Sequence, residues 1–146
     1  MIQEKIVPDI EESFYIINVR RYGDDRGVLT TIEEDTDIPF NIKRVYYISD
    51  VSKEKERAHH AHFESQRVLS AIQGSVNVML FDGKRRETFI LDNPAKAIYF
   101  NKLVWCELSN FENNAIVLAL ASQQYNETDY IRNYDDYIKI ISSRGQ

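Results

Sequence analysis

Arg57-Ala58-His59-His60-Ala61-His62, followed by the apolar run Gln66-Arg67-Val68-Leu69-Ser70-Ala71-Ile72, is the stretch around which the chain is organised. It contains all three histidines of the 146 residues. Because residues two apart in a strand share one face, His60 and His62 are predicted to point to the same spot, and His59 to the opposite side. Imidazole titrates near neutral pH and is the commonest metal ligand in proteins. The pair therefore predicts a strand that bears a functional site.

Short runs of β-branched and aromatic residues recur on both sides of this stretch, separated by turn residues. They span residues 14–19, 28–32, 43–49, 66–72, 76–81, 87–91, 97–100, 104–108 and 115–120. Gln73-Gly74-Ser75 is predicted to be a tight turn, and Asp82-Gly83 to close a hairpin. Eight or nine strands at this spacing predict an all-β fold, an antiparallel sandwich or barrel, in a single domain over residues 1–146.

The carboxyl-terminal tail has a different pattern. Its apolar and aromatic residues recur at helical spacing, and Thr128 is suitable as the N-cap. These residues are Tyr130, Ile131, Tyr134, Tyr137, Ile138 and Ile141. We expect a short C-terminal helix whose aromatic stripe packs on the barrel or on a neighbouring subunit.

Composition and charge exclude several classes of protein. The net charge is −5 and no Lys/Arg-rich run appears, which argues against nucleic-acid binding. The first eight residues have no basic segment followed by an apolar one, and no apolar run approaches the ~20 residues that span a bilayer. A lone cysteine, Cys106, cannot form an intrachain disulfide. These features predict a cytoplasmic protein with no membrane partner.

The strand series and the His-x-His pair together resemble the cupin fold, a double-stranded β-helix or jelly roll. Over about residues 14–138 the chain resembles the dTDP-4-keto-6-deoxy-D-glucose 3,4-ketoisomerases, which are WxcM-like cupins. The motifs of the resemblance are, in order, Asp25-Arg26-Gly27-Val28-Leu29, residues 38–48, Arg57–His62, Gln73-Gly74-Ser75-Val76, Leu80-Phe81-Asp82-Gly83, residues 118–122 and residues 129–134. The resemblance implies a homodimeric isomerase without a cofactor, acting on a dTDP-linked keto-deoxyhexose in deoxysugar biosynthesis.

The chain departs from the family pattern at three positions. The family usually reads Arg-Gly-x-His-Ala-His-Lys, whereas Ala58 and Phe63 replace the Gly and the Lys here. Where members commonly read Trp-His-Glu, this chain has Cys106 in place of the His. These changes keep the His pair, but they leave the C4 configuration of the product open.

The proposed chemistry is proton transfer. Moving a keto group from C4 to C3 of a sugar requires a base that removes the C3 proton and an acid that delivers one to C4. Imidazole suits such a base, and a second imidazole or a tyrosine can stabilise the intermediate enediolate. His60, His62 and Tyr46 are the predicted catalytic residues, without a choice between the two histidines as base. Tyr46 is preferred over its neighbour Tyr47 because Arg44 shares its strand face.

Six residues are predicted to contact substrate. Arg57 lies at the entrance of the histidine strand, where a guanidinium can bind a diphosphate oxygen with two hydrogen bonds. Arg26 occupies a family motif position that reaches the nucleotide or fixes its loop, and Trp105 either stacks on substrate or packs in the core. The predicted set is Arg26, Arg44, Tyr47, Arg57, Gln66 and Trp105.

Two alternatives remain open at this stage. A metal-dependent cupin would use His60, His62 and Cys106 as ligands. However, Gln66 stands where such cupins place a glutamate, and Cys106 where they place a third histidine, so we expect no metal. The departures at Phe63 and Cys106 also keep open a non-catalytic cupin that binds a sugar nucleotide.

Overall fold

Ten antiparallel strands and one helix make up most of residues 12–144, the part of the chain that the computed structural model describes. The strands are β1 Phe14–Asn18, β2 Arg20–Asp24, β3 Gly27–Thr31, β4 Arg44–Ile48, β5 Arg57–His62, β6 Arg67–Phe81, β7 Arg86–Leu91, β8 Lys96–Phe100, β9 Trp105–Ala121 and β10 Tyr130–Ile131. A 3₁₀ turn, Glu127–Asp129, precedes β10, and the helix α1 covers Tyr134–Arg144. The predicted all-β class with a short C-terminal helix is confirmed.

None of the helices within residues 12–144 is long and apolar enough to cross a membrane. The first eight residues, where a secretion signal would begin, lie outside the described part of the chain.

Two long strands, β6 and β9, form the spine of the main sheet. They pair from Arg67 opposite Ala121 to Phe81 opposite Trp105. The sheet runs β1-β8-β6-β9-β5-β10, with β4 also on β9 and β7 also on β6. The hairpin β2–β3 forms a separate two-stranded sheet. This order places β4 and the histidine strand β5 on the same partner, β9.

The predicted turn at Gln73-Gly74-Ser75 is wrong, because these residues lie inside β6. The register between β6 and β9 shifts there, as it does at a β-bulge. Gly74 has φ +68°, and a Cβ at this position would collide with the carbonyl oxygens of Glu112 and Asn113. Only glycine fits such a crossing, so the strand bends where the sequence pattern suggested a reversal. The bent strand pairs with β8 before this point and with β7 after it.

Alternating residues of β6 and β9 fill the main core. Leu69, Val78 and Leu80 of β6 and Leu108 and Val117 of β9 are all buried in one cluster. Burying each such side chain contributes about 1.5–3 kcal/mol. Leu69 and Leu108 of this core also line the neighbouring cavity.

The tail departs from its prediction in two ways. Tyr130 and Ile131 are not helical, because β10 pairs with β5, with Tyr130 opposite His62 and Ile131 opposite Ala61. The helix begins later and is capped by Asn133, whose side-chain oxygen accepts the backbone N–H of Asp136 at 2.9 Å. Thr128 is therefore not the helix cap. The pairing of β10 brings Tyr130 beside the histidines.

The helix itself packs on the sheet, as expected. Tyr137 is fully buried, and its hydroxyl oxygen lies 2.9 Å from the carbonyl oxygens of Phe81 and Leu103, to either of which it can donate. Helix α1 is thereby fixed to the ends of two core segments.

Candidate active site

The two histidines of the His-x-His pair lie side by side on β5. The ring centroids of His60 and His62 are 4.8 Å apart, with the rings at 88°. His59 faces away, and its Nε2 lies 2.7 Å from Oε1 of Glu56. Alternation along the strand therefore gives the predicted arrangement, although a bulge between Ala58 and His60 interrupts the register with β9.

A cavity of about 710 Å³ opens beside the pair, between β4, β5, β6 and β9. This volume is in the usual range for small-molecule sites. Its deep wall includes Tyr46, His60, Arg67, Cys106 and Tyr130.

His60 lines this cavity, and one of its ring nitrogens has no partner among the described residues. Within residues 12–144 its Nδ1 is the only buried side-chain nitrogen or oxygen atom without a hydrogen-bond partner. Burial, assisted by the positive charge of Arg67, lowers the pKa of His60 to about 4. The imidazole is therefore neutral near pH 7, so a ring nitrogen lone pair is available to accept a proton.

His62 lies behind His60 and is 4% exposed. The Nη2 group of Arg67 donates to its ring, lying 3.2 Å from Nδ1 and closer still to Nε2. Burial first, and then the Arg67 charge, lower the pKa of His62 to about 2. His62 is thus a neutral hydrogen-bond acceptor for a buried guanidinium.

Tyr46 points into the cavity, as the strand face that it shares with Arg44 predicts, whereas Tyr47 is 70% exposed at the cavity rim. The hydroxyl oxygen of Tyr46 accepts a hydrogen bond of 3.0 Å from Nε of Arg67. Burial raises the pKa of Tyr46, and the charge of Arg67 acts in the opposite sense. The phenol is therefore protonated at neutral pH and can donate.

Three further arginines surround the mouth of the cavity. The guanidinium of Arg44 covers the Tyr46 ring at 4.3 Å, and that of Arg132 covers the Tyr130 ring at 4.2 Å. Arg57, at the start of β5, is exposed. Such cation–π contacts orient guanidinium groups without neutralising them.

Arg132 is also paired with Glu127, and Glu56 lies in the cavity lining. Arg44 and Arg57 are therefore the mouth arginines without a carboxylate partner among the described residues, on a chain of net charge −5.

Three of the predicted contact residues do not line the cavity, namely Arg26, Gln66 and Trp105. Arg26 is at the tip of the β2–β3 hairpin and pairs with Asp24. Gln66 is not in the cavity lining, and its side-chain oxygen accepts a hydrogen bond of 2.6 Å from the Tyr99 hydroxyl.

Trp105 is buried against helix α1, because Cys106 faces the cavity and its strand neighbour must face the other way. Its indole ring contacts Tyr134 and Tyr137 of the helix. The core interpretation of Trp105 was the correct one.

Sequence reasoning missed three cavity residues, Arg67, Tyr130 and Arg132. A signal existed for Arg67, since a charged residue in a buried apolar strand usually has a function. Tyr130 gave none, because its spacing matched a helix. It lies 5.0 Å from His60 and 4.3 Å from His62, measured between ring centroids.

The donors at the pair do not fit a metal ion. Burial raises the pKa of the Cys106 thiol to about 12, so the thiolate that would bind a metal is disfavoured. The ring of His62 is turned to a guanidinium cation. No cluster of three His, Cys, Asp or Glu side chains suited to a metal occurs within residues 12–144. The chemistry of these groups disfavours the metal-dependent alternative.

Comparisons with known proteins identify the family of this chain. The family model described as FdtA, WxcM-like C-terminal, matches residues 12–142. A TDP-4-oxo-6-deoxy-alpha-D-glucose-3,4-oxoisomerase from Aneurinibacillus thermoaerophilus is 44% identical over 127 residues, which are 87% of this chain and 91% of that protein.

Solved structures of ketoisomerases are similar over almost their whole length. A 3,4-ketoisomerase from Helicobacter canadensis has a TM-score of 0.87 and 38% identity, covering 90% of this chain and 99% of its own. A histidine-to-asparagine mutant of the 3,4-ketoisomerase QdtA from Thermoanaerobacterium thermosaccharolyticum, in complex with TDP-4-keto-6-deoxyglucose, has a TM-score of 0.87 and 39% identity, covering 92% and 98%. The predicted cupin fold and family are confirmed: this chain belongs to the FdtA, WxcM-like family of sugar 3,4-ketoisomerases.

Proposed function

We propose that the protein is an isomerase that converts dTDP-4-keto-6-deoxyglucose into a dTDP-linked 3-keto-6-deoxyhexose. The observation that carries this proposal is His60, a neutral imidazole that lines a cavity of about 710 Å³ and keeps one unpartnered ring nitrogen. The relatives named above support the choice of substrate, because one acts on this sugar by name and another was solved with it.

In the proposed reaction, His60 removes the proton from C3, and the electrons of that bond form an enediolate across C3 and C4. The same imidazole, now protonated, returns the proton to C4. The former C4 carbonyl oxygen gains a proton and the C3 hydroxyl loses one, so no external oxidant or reductant is needed. Proton shuttling of this kind by a placed imidazole typically accelerates a reaction by about 10²–10⁴-fold.

The choice between the two histidines follows from their surroundings. The His60 ring lines the cavity and keeps one unpartnered nitrogen, while the His62 ring is outside the lining and accepts from Arg67. The arrival of an anionic diphosphate at the mouth offsets the nearby arginine charges and raises the pKa of His60 towards neutrality. A base near the operating pH is the more effective one. His60 is therefore the base and His62 a supporting group.

Tyr46 is the proposed partner of the base. Its protonated hydroxyl lies on the cavity wall and can donate to the oxygen on which charge develops. Tyr130, in contact with both histidine rings, closes the same side of the site.

The diphosphate and nucleotide occupy the mouth of the cavity in this proposal. Arg44, Arg57 and Arg132 border it and provide donors for phosphate oxygens. Tyr47 offers an exposed aromatic ring at the same rim. We place no substrate contact at Arg26, Gln66 or Trp105 within one chain.

We also propose that the protein is a homodimer, as its family resemblance implies. The β2–β3 hairpin exposes Tyr22, Val28 and Leu29, and β4 exposes Val45, which lines the same surface groove as Val28. Exposed apolar clusters of this kind mark protein interfaces more often than solvent-facing surface. Light scattering at micromolar concentration tests this; a monomeric mass would contradict it.

The test of the reaction is incubation with dTDP-4-keto-6-deoxyglucose in deuterated water, followed by NMR. We expect loss of the C3 hydrogen signal and appearance of the 3-keto sugar, whose ring couplings give the C4 configuration. A non-catalytic sugar-nucleotide-binding cupin would bind the compound without exchange. His60→Asn is expected to slow exchange by about 10²–10⁴-fold, while full activity of that variant would refute the assigned base.

A further inference from the structure

Arg67 is a buried cation without a counter-ion. It is 3% exposed, and no carboxylate within residues 12–144 forms an ion pair with it. Arg20, Arg26 and Arg132 differ, since each has an aspartate or glutamate partner. Burying a charge without an opposite charge costs folding free energy, so a protein usually keeps such a group only where it has a function.

Neutral groups accept hydrogen bonds from each of the three guanidinium nitrogens of Arg67. Its Nε donates to the Tyr46 hydroxyl at 3.0 Å, Nη1 to the Ser65 hydroxyl at 2.9 Å, and Nη2 to the ring of His62. These bonds reduce the penalty of unsatisfied donors but leave the full positive charge in place. The charge lies in the wall of the cavity, beside His60.

The bonds also determine where two protons reside. Because the Tyr46 oxygen accepts from Arg67, its own hydrogen points away from the guanidinium, and the cavity is the side left open. Because a guanidinium can only donate, the nitrogen of His62 that faces it has no proton. Arg67 thereby makes Tyr46 a donor towards substrate and His62 an acceptor.

An enediolate is the species that would balance this charge. The keto sugar is neutral at its reacting carbons, whereas the enediolate carries a negative charge there. A fixed cation in a site shielded from water favours the charged intermediate more than the substrate. The cost of burying Arg67 is offset at that step.

We propose that Arg67 is the positioning residue of the isomerisation, which aims the Tyr46 hydroxyl, holds His62 as an acceptor and stabilises the enediolate by its unpaired charge. This inference rests on the proposed isomerase function. Arg67 acts through its neighbours and need not touch the sugar.

The principal test is Arg67→Met, which keeps an unbranched side chain of similar length and removes the charge and the donors. We expect kcat to fall by about 10²-fold, the loss seen when one preorganised donor is removed, with little change in KM. In the plot of kcat/KM against pH, the acid limb, where activity falls as His60 is protonated, should move to higher pH. The reason is that loss of the nearby cation raises the pKa of His60. Wild-type kcat and an unmoved limb would overturn the proposal.

Arg67→Lys separates charge from geometry and also decides the question if Arg67→Met does not fold. Lysine keeps the charge but lacks the planar set of donors. We expect the acid limb to stay in place while kcat falls about tenfold, a typical cost for a misplaced catalytic contact. Wild-type kcat in this variant would overturn the positioning role.

Arg85→Met is the matched control. Like Arg67, Arg85 donates to a neutral acceptor, the Phe14 carbonyl, at 2.7 Å; its guanidinium lies over the Phe14 ring at 3.8 Å. Arg85 lies outside the cavity lining, so the kinetics and pH profile of the Arg85→Met variant should match those of the wild type.

A double-mutant cycle with Tyr46→Phe gives a second readout. If Arg67 acts through Tyr46, the combined variant loses less activity than the product of the single losses. Strictly multiplicative losses would contradict that coupling.

A wild-type enzyme without isomerase activity would refute the proposed function itself, whereas an active wild type with unaffected Arg67 variants would refute this inference alone.

Discussion

Lowering the pH should destabilise this protein through its two buried histidines. Their pKa values are depressed from 6.5 to about 4 for His60 and about 2 for His62. A depressed pKa means that the unfolded chain takes up protons first, at pH values below about 6.5. The stability contributed by the neutral rings is therefore fully present above pH 6.5 and is lost as the pH falls below it.

The size of this loss follows from the shifts. Between pH 6.5 and 5, one histidine that protonates only when unfolded costs about 1.36 kcal/mol per pH unit, or about 2 kcal/mol. Both folded-state pKa values lie below 5, so the pair together costs roughly 4 kcal/mol. That is a large part of a typical stability of about 5–15 kcal/mol.

Urea unfolding of the wild type and of the variant His60→Asn/His62→Asn, at pH 7 and pH 5, measures the effect. The difference in unfolding free energy between the two proteins should change by roughly 4 kcal/mol over this range, which removes the contribution of carboxylates common to both. His59→Asn, on the exposed side of the same strand, is the matched control and should keep the steep wild-type dependence. Parallel pH profiles for the wild type and the double variant would refute the reasoning.

Three further predictions concern activity and stability. His60→Asn should lower kcat by about 10²–10⁴-fold, measured by NMR, without lowering the melting temperature, since the Nδ1 atom has no hydrogen bond to lose. If His62→Asn loses the same activity because it unfolds, its melting curve will show the unfolding. Gly74→Ala should destabilise by more than about 1 kcal/mol in urea, because of its positive φ and the crossing carbonyls; an unchanged midpoint would contradict the bulge. Asn133→Ala should cost about 1 kcal/mol through loss of the helix cap, and a Thr128→Ala variant of equal cost would contradict the assigned cap.

Local patterns were sufficient for much of the fold and part of the site. The face that Tyr46 shares with Arg44 favoured Tyr46 as the inward tyrosine. Strand alternation predicted that His60 and His62 share a face, and that Tyr46 and Tyr47 point to opposite faces. Both follow from covalent geometry, because the side-chain period of an extended strand does not depend on what the strand packs against. The family resemblance, based on an ordered series of motifs, supplied the cupin topology that periodicity alone left undecided.

Long-range pairing decided the rest. Gln73-Gly74-Ser75 has the composition of a turn, but the crossing of β9 at Gly74 makes it a bend in one long strand. Tyr130 fits a helical period, yet pairing with β5 makes it a strand residue against the histidines. In both cases the local preference is weak, and a tertiary contact outweighs it.

The charge state of the site likewise depends on the assembled fold. The sequence shows that Arg67 lies among apolar residues, but not that its neighbours in space are Tyr46, Ser65 and His62. Periodicity determines which face of a strand a side chain occupies. Which groups meet across that face, and therefore where protons and charge reside, is determined by packing between strands far apart in the chain.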